Sequence, residues 1–146
     1  MVITPPFKKI FPIWENYLWP NRTSPIESNS AMCYLGGYDM YNMSTQPTFF
    51  AYMIDDKIAG VNSGHMCAGN QYRSRGLFVF EEYRGRGIGK ELLLATIEQA
   101  KFEGALMCWS YPRKDSRKVY NKTGFTLSSS FEKSETGLNA YCFIEL

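Results

Sequence analysis

A chain of 146 residues is the length of one domain and can bury a substantial core, so a single domain over residues 1–146 is expected. Its formal charge of +2 is too small to argue for a nucleic-acid or membrane partner, because such surfaces need a concentrated basic patch. There is no run of about eighteen apolar residues, and the start MVITPPFKKIF lacks the pattern of a signal peptide, so a cytoplasmic location is expected.

The first fifty residues read as helical and punctuated. Phe11, Trp14, Tyr17 and Leu18 recur at helical spacing before Pro20 stops the element. Ile26 to Leu35 is expected to form a second short helix, with Pro25 in its first turn and Gly36-Gly37 ending it. From Thr48 the texture changes. Thr48 to Ile54 is aromatic and β-branched, Asp55-Asp56-Lys57 is a natural hairpin turn, and Ile58 to Met66 is the returning strand. Gly69-Asn70 marks another turn, and Tyr72 to Phe80 forms a third strand. Ile88, Leu92, Ala95, Ile97 and Ala100 give a long helix its apolar face, closed by Gly104. Ala105 to Ser110 reads as a buried strand and Arg113 to Lys122 as a short helix. Phe125 to Phe131 and Leu138 to Ile144 read as a final antiparallel pair around Gly137.

The cysteines Cys33, Cys67, Cys108 and Cys142 are far apart with no Cys-x-x-Cys, and His65 is the single histidine, so no metal site is expected. Reduced, mostly buried thiols fit better. Cysteine catalysis would need a partnering imidazole, and only one exists.

The chemistry concentrates in Leu77 to Leu94, LFVFEEYRGRGIGKELLL, where an apolar strand, a glycine-punctuated turn and an amphipathic helix follow without a break. Gly85, Gly87 and Gly89 let the backbone approach a ligand, and the helix start offers unpaired N–H groups and a positive dipole end to a phosphate. The spacing fits neither a P-loop, since Lys90 is followed by Glu91, nor a dinucleotide fingerprint, since counting from Gly85 ends at Lys90 and from Gly87 at Leu92. Arg73, Arg75, Arg84, Arg86 and Lys90 flank the turn, which a polyphosphate ligand explains as economically as a nucleic acid would. A glycine turn between strand and helix is also an ordinary connection.

What remains, Arg84-x-x-Gly87-x-Gly89, resembles the acyl-CoA pyrophosphate signature of the GNAT superfamily of N-acetyltransferases. Two neighbouring stretches strengthen the resemblance. Val79-Phe80-Glu81-Glu82-Tyr83-Arg84-Gly85 is similar to that family's usual approach to the motif, with Glu81 where proline is common. Val119-Tyr120-Asn121-Lys122-Thr123-Gly124-Phe125 resembles its helix ending in Tyr-x-x-x-Gly-Phe. It covers Ile58 to the C-terminus well and the first fifty residues loosely. The resemblance implies an α+β (mixed α/β) three-layer fold, with a central mixed, mostly antiparallel sheet and helices on both faces. It implies acetyl-CoA as cofactor and a small-molecule or peptide amine as acceptor, attacked directly in a ternary complex.

Acyl transfer from a thioester to an amine requires that the cofactor be held, the oxyanion stabilised and the thiolate protonated. Backbone amides of Arg84, Gly85, Arg86, Gly87, Ile88, Gly89 and Lys90 would hold the pyrophosphate, with added charge from Arg84, Arg86 or Lys90. By the resemblance, the main chain of Leu77, Phe78 and Val79 pairs with the pantetheine arm, and an N–H near Val79 faces the thioester oxygen. It also maps the general acid onto Tyr120, a phenol whose ordinary pKa of about 10 keeps it protonated at neutral pH. The alternative is that Tyr120 is a packed aromatic on a short helix, but its place four residues before Gly124-Phe125 favours the functional role. Arg113 and Ser116, two turns and one turn earlier, are weaker candidates for cofactor contacts.

No base stands out: the strand before the motif reads Tyr72-Arg73-Ser74-Arg75-Gly76 with no acid, leaving Glu81, Glu82, His65 or water. On the acceptor side, Trp14, Trp19, Tyr34, Tyr38, Tyr41, Trp109 and Tyr111 could form an aromatic pocket that holds an alkylammonium group with Asp39, or could simply fill the core. Two readings of a different class stand beside the enzyme: a non-catalytic acyl-CoA-binding module and a basic-turn nucleic-acid-binding protein. A homodimer is open.

Overall fold

The computed structural model describes residues 1–146. Seven strands form one sheet in the order β1-β2-β3-β4-β5-β9-β6, and a two-stranded hairpin, β7-β8, stands apart. β2 (Thr48–Ile54), β3 (Lys57–Cys67) and β4 (Gln71–Val79) run antiparallel in sequence, joined by turns whose central residues, Asp55-Asp56 and Gly69-Asn70, all have positive φ. Paired positive φ values give the turn a twist that matches that of the strands it joins. β1 (Val2–Ile3) adds to the outer edge of β2. A strand of two residues carries no periodicity, so the sequence did not announce it.

β5 (Met107–Ser110) is the only strand laid parallel to its neighbour. It pairs with β4 through Gln71, Tyr72 and Arg73 and goes no further, so the two strands part beyond Arg73. On the far side of β5 lie β9 (Cys142–Glu145) and β6 (Thr126–Leu127). The expected final pair is therefore present but shortened, because Glu132 to Asn139 leaves the sheet as the hairpin β7 (Glu132–Ser134) and β8 (Gly137–Asn139).

Alternation along the strands sorts the core onto two faces. Phe49, Ala51 and Val61 pack under Ile10 and Trp14 of the first helical element, α1 (Phe7–Ile13) with the π-helical turn Trp14–Leu18 that continues it. The switch to π geometry follows Pro12, which has no N–H for the helical ladder. Phe50 and Ala59 pack under Ile88 and Leu92 of α2 (Ile88–Phe102), and α3 (Arg117–Thr123) lies on the same face through Tyr120. Helices thus cover both faces, as expected.

The expected helix over Ile26 to Leu35 is absent; that segment is irregular, and the next helical turn is a short 3-10 element at Met40–Ser44. Its polar side chains take the backbone donors a helix would need: Asn29 Oδ1 accepts from the N–H of Ser30, and Ser30 Oγ accepts from that of Met32.

Candidate active site

The parting of β4 from β5 begins at a bulge. Val61 faces Phe78 and Ser63 faces Arg75, so Asn62 stands opposite two residues, Gly76 and Leu77. Gly76 has φ of 83°, and a side chain there would lie 2.2 Å from Cζ2 of Trp14, whose indole N–H donates to the Gly76 carbonyl at 2.9 Å. Only glycine meets both conditions. Trp14 therefore anchors the first helical element onto the bend that opens the sheet.

Beyond the bend, the N–H of Phe80 donates to the carbonyl of Ala59 in β3, so by strand alternation the N–H and carbonyl of Val79 face away from β3. That carbonyl accepts from Nε of Arg84 at 2.8 Å, and the Arg84 guanidinium lies 5.6 Å from the Phe78 ring centre. The Val79 N–H is left on the open side.

The chain then makes a 3-10 turn at Glu81–Tyr83 and enters α2 through Gly85 and Gly87, with φ of 80° and 79°. Gly89 differs in its reason for being glycine: it is helical, and a Cβ would sit 3.1 Å from Val119 Cγ2, so it lets α2 approach α3. None of the six N–H groups from Gly85 through Lys90 has an acceptor within the protein, the first helical bond being that of Glu91 to the Gly87 carbonyl. Gly85, Arg86, Gly87 and Lys90 are exposed, so water can serve these donors in the free protein, and a helix start collects them on one spot.

Five of the six residues from Gly85 through Lys90, all but Arg86, line a cleft of about 610 Å3 between β4, the glycine turn and α3. Of the residues singled out from the sequence, Leu77, Phe78, Val79, Arg84, Gly85, Gly87, Ile88, Gly89, Lys90, Arg113 and Ser116 line it. Arg86 does not; its guanidinium lies over the Tyr83 ring at 5.5 Å. Lys118 and Lys122, which the sequence reading overlooked, line it from α3. Their spacing of four on one helix face was the available signal. Five basic side chains and one acid, Asp115, give the cleft its charge.

Tyr120 is buried at the inner end, where a narrower gap of about 50 Å3 continues between β4 and β5 and meets the cleft at Leu77, Arg113 and Ser116. Its hydroxyl lies 3.2 Å from Ser74 Oγ and 3.0 Å from Ser110 Oγ. Burial pushes the phenol well above its ordinary pKa, with Cys142 adding and the two serine hydroxyls opposing, so it stays protonated. Asn62 Nδ2 extends the polar chain, donating to Ser74 Oγ and Thr96 Oγ1 at 2.9 Å each.

Glu81 and Glu82 are exposed on their turn and line neither space. His65 is fully buried with no hydrogen bond at either nitrogen. Burial, then Arg73 and Arg75, push it down to about 3 from 6.5, while the nearby Ser30 backbone opposes only weakly. The aromatic pocket for an alkylammonium group is not formed. Tyr38 and Tyr41 are exposed, Asp39 caps a turn through the N–H of Tyr41, and the faces of Trp14, Trp19 and Trp109 are occupied by the guanidiniums of Arg75 and Arg73. Those two arginines likewise do not flank the glycine turn; they are buried on the face of β4 that α1 covers.

The model of the acetyltransferase (GNAT) family matches residues 12–125. The chain belongs to that family. It is accordingly an acyltransferase, with acetyl-CoA as its cosubstrate. The GNAT fold is shared, at low identity, with solved structures: an IAA acetyltransferase from Bacillus cereus (17% identity, TM-score 0.73, covering 100% of this chain and 99% of that one), and an acetyltransferase of the GNAT family from Staphylococcus aureus (18%, 0.70, 100% and 98%). The paia N-acetyltransferase of Thermoplasma acidophilum, solved in complex with coenzyme A, matches over 68% of this chain and 61% of its own at 23% identity and a TM-score of 0.57. No curated protein matches the GNAT chain in sequence.

Proposed function

We propose that this chain is a single-domain N-acetyltransferase that moves the acetyl group of acetyl-CoA directly to a primary amine of a small molecule or peptide. The observation that carries this reading is the run of six unpartnered N–H groups, Gly85 to Lys90, of whose residues all but Arg86 line a basic cleft. Those groups hold the pyrophosphate, with Lys90, Lys118 and Lys122 adding charge that would otherwise repel across an empty cleft. Arg84, tied back to Val79, fixes the turn as well as lining it. The pantetheine arm lies along Leu77, Phe78 and Val79, whose outward edge has no strand partner beyond Arg73. There the Val79 N–H is the donor for the thioester oxygen, a contact typically worth about 10²-fold or more in rate.

The acceptor enters through the gap between β4 and β5. Its neutral amine attacks the thioester carbonyl, forming the C–N bond as the C–S bond breaks; the surplus amine proton leaves to water, and the departing thiolate takes one from Tyr120. Tyr120 is suited to this because it remains protonated, and because Ser74 and Ser110 can donate to the phenolate left behind. No carboxylate or imidazole lines the gap, which favours water as the proton acceptor. Acetyl-CoA is expected to raise the melting temperature. Gly87→Asp sets a carboxylate among these donors; nothing lies within 4 Å of a Cβ there, but the positive φ of 79° strains the variant, so its own melting curve is recorded beside the wild type's. A shift that survives in this variant would reject the site.

A further inference from the structure

Arg73 and Arg75 are buried side by side on one face of β4, at 9% and 4% exposure, and no carboxylate comes within 4 Å of either. The single ion pair in the molecule joins Lys101 to Glu98 on the surface. Two like charges withdrawn from water without a counter-ion are costly, and proteins keep such groups where something else neutralises them. Each guanidinium is held in place by one Nη1 bond, Arg73 to Ser30 Oγ at 2.9 Å and Arg75 to the Glu27 carbonyl at 2.8 Å. Indole faces support them from behind, Trp109 at 5.1 Å from Arg73 and Trp14 and Trp19 at 5.0 and 5.2 Å from Arg75. Nη2 of both arginines and Nε of Arg73 make no hydrogen bond within the protein, the last while fully buried. Both side chains line the gap of about 50 Å3 that meets the cleft at Leu77, and no acidic residue lines that gap with them.

We propose that the gap is a subsite for a carboxylate carried by the acceptor, so that the substrate class is amines whose skeleton also bears a carboxylate, amino acids being the simplest. This rests on reading the cleft as the acetyl-CoA site. A planar carboxylate matches the free donors of two fixed guanidiniums, and the confined space favours so small a head group over a bulky one. The carboxylate supplies the missing counter-charge only when the acceptor is bound. Bound there, it holds the amine at the parting of the strands, where the gap meets the cofactor cleft at Leu77, Arg113 and Ser116. An uncharged or purely cationic amine would meet two unneutralised guanidiniums instead.

The test compares L-amino acids with their carboxamides, pairs that differ only in the carboxylate, by thiol release at saturating acetyl-CoA. The acid is expected to exceed the amide at least tenfold in kcat/KM for the substrates that turn over. Arg75→Gln should erase most of that preference by raising the acceptor KM, leave the KM for acetyl-CoA unchanged, and be partly rescued by Arg75→Lys. Retention of the acetyl-CoA melting shift reports that each variant is folded. In parallel, the CoA-bound protein should be stabilised by N-acetyl amino acids and not by N-acetyl amino amides. Amides that work as well as acids, an unchanged preference in Arg75→Gln, or no difference between acids and amides in either assay overturns the proposal while leaving acetyl transfer intact. Failure of acetyl-CoA to bind or release thiol refutes the reading of the cleft instead.

Discussion

Replacing His65 tests whether this imidazole belongs to the reaction or to the fold. It is buried without a hydrogen bond, beside two arginines, and its pKa stands near 3 against 6.5 in the open chain. Between these values the unfolded chain binds a proton that the native protein does not, so stability is full above about pH 6.5 and falls as the pH drops toward 3. The slope approaches about 1.4 kcal/mol per pH unit, which amounts to about 2 kcal/mol between pH 7 and pH 5, or about 4–8 °C in Tm for a chain of this size. His65→Met removes the titration while keeping an unbranched apolar side chain that fills irregular space. Thermal melts of both proteins at pH 7 and pH 5 should show the wild type losing this amount more than the variant. Glu135, held down to about 2 by the N–H and hydroxyl groups of Thr23 and Ser24, loses its contribution only below its ordinary 4.5 and stays outside the window. The same burial means that log kcat/KM of the wild type should show no inflection near pH 6.5, since His65 is neutral throughout. Equal pH dependence of stability in the two proteins would refute the argument, as would an activity inflection near pH 6.5 that His65→Met removes.

Tyr120→Phe should lower kcat by about 10²-fold or more while leaving the acetyl-CoA melting shift in place, as steady-state kinetics and melts together would reveal. Gly76→Ala forces a positive φ on alanine and a Cβ into Trp14, which should cost about 2–5 kcal/mol in a denaturant titration; a loss below about 1 kcal/mol would mean the bend does not depend on that indole. Arg75→Met, which removes an unneutralised buried charge at similar volume, should raise Tm in the absence of acceptor even as it damages acceptor binding, and a fall of several degrees would show that the stacked indoles and the Glu27 contact outweigh the desolvation.

The sheet from Thr48 to Phe80 and the helix from Ile88 were legible because their cues are local: alternation, paired turn residues and a glycine at the helix start. The glycine turn's role as a donor cluster was legible for the same reason, since helix-start amides follow from chain order alone. Gly89 shows the limit. Sequence gives it the same reason as Gly85 and Gly87, but its need comes from Val119, thirty residues on, which only packing brings near. Ile26 to Leu35 failed through side chains that bind their own backbone, a competition that apolar periodicity does not register. Arg73 and Arg75 failed through counting charge along the chain: they lie within about a dozen residues of the turn, yet the bulge at Gly76 and strand alternation carry them to the opposite side of the sheet. Membrane insertion has no support from the helices, none of which is long and apolar enough to cross a bilayer.

The central claim is that the main-chain N–H groups of Gly85 to Lys90 hold the cosubstrate's pyrophosphate. Titrating the 15N-labelled protein with coenzyme A and following backbone amides by NMR addresses it directly. The account predicts the largest downfield proton shifts and a gain in exchange protection at these six residues, with acetyl-pantetheine, which lacks the pyrophosphate, leaving them nearly unmoved. Coenzyme A that binds while these amides keep their positions, or acetyl-pantetheine that shifts them as far, would contradict it.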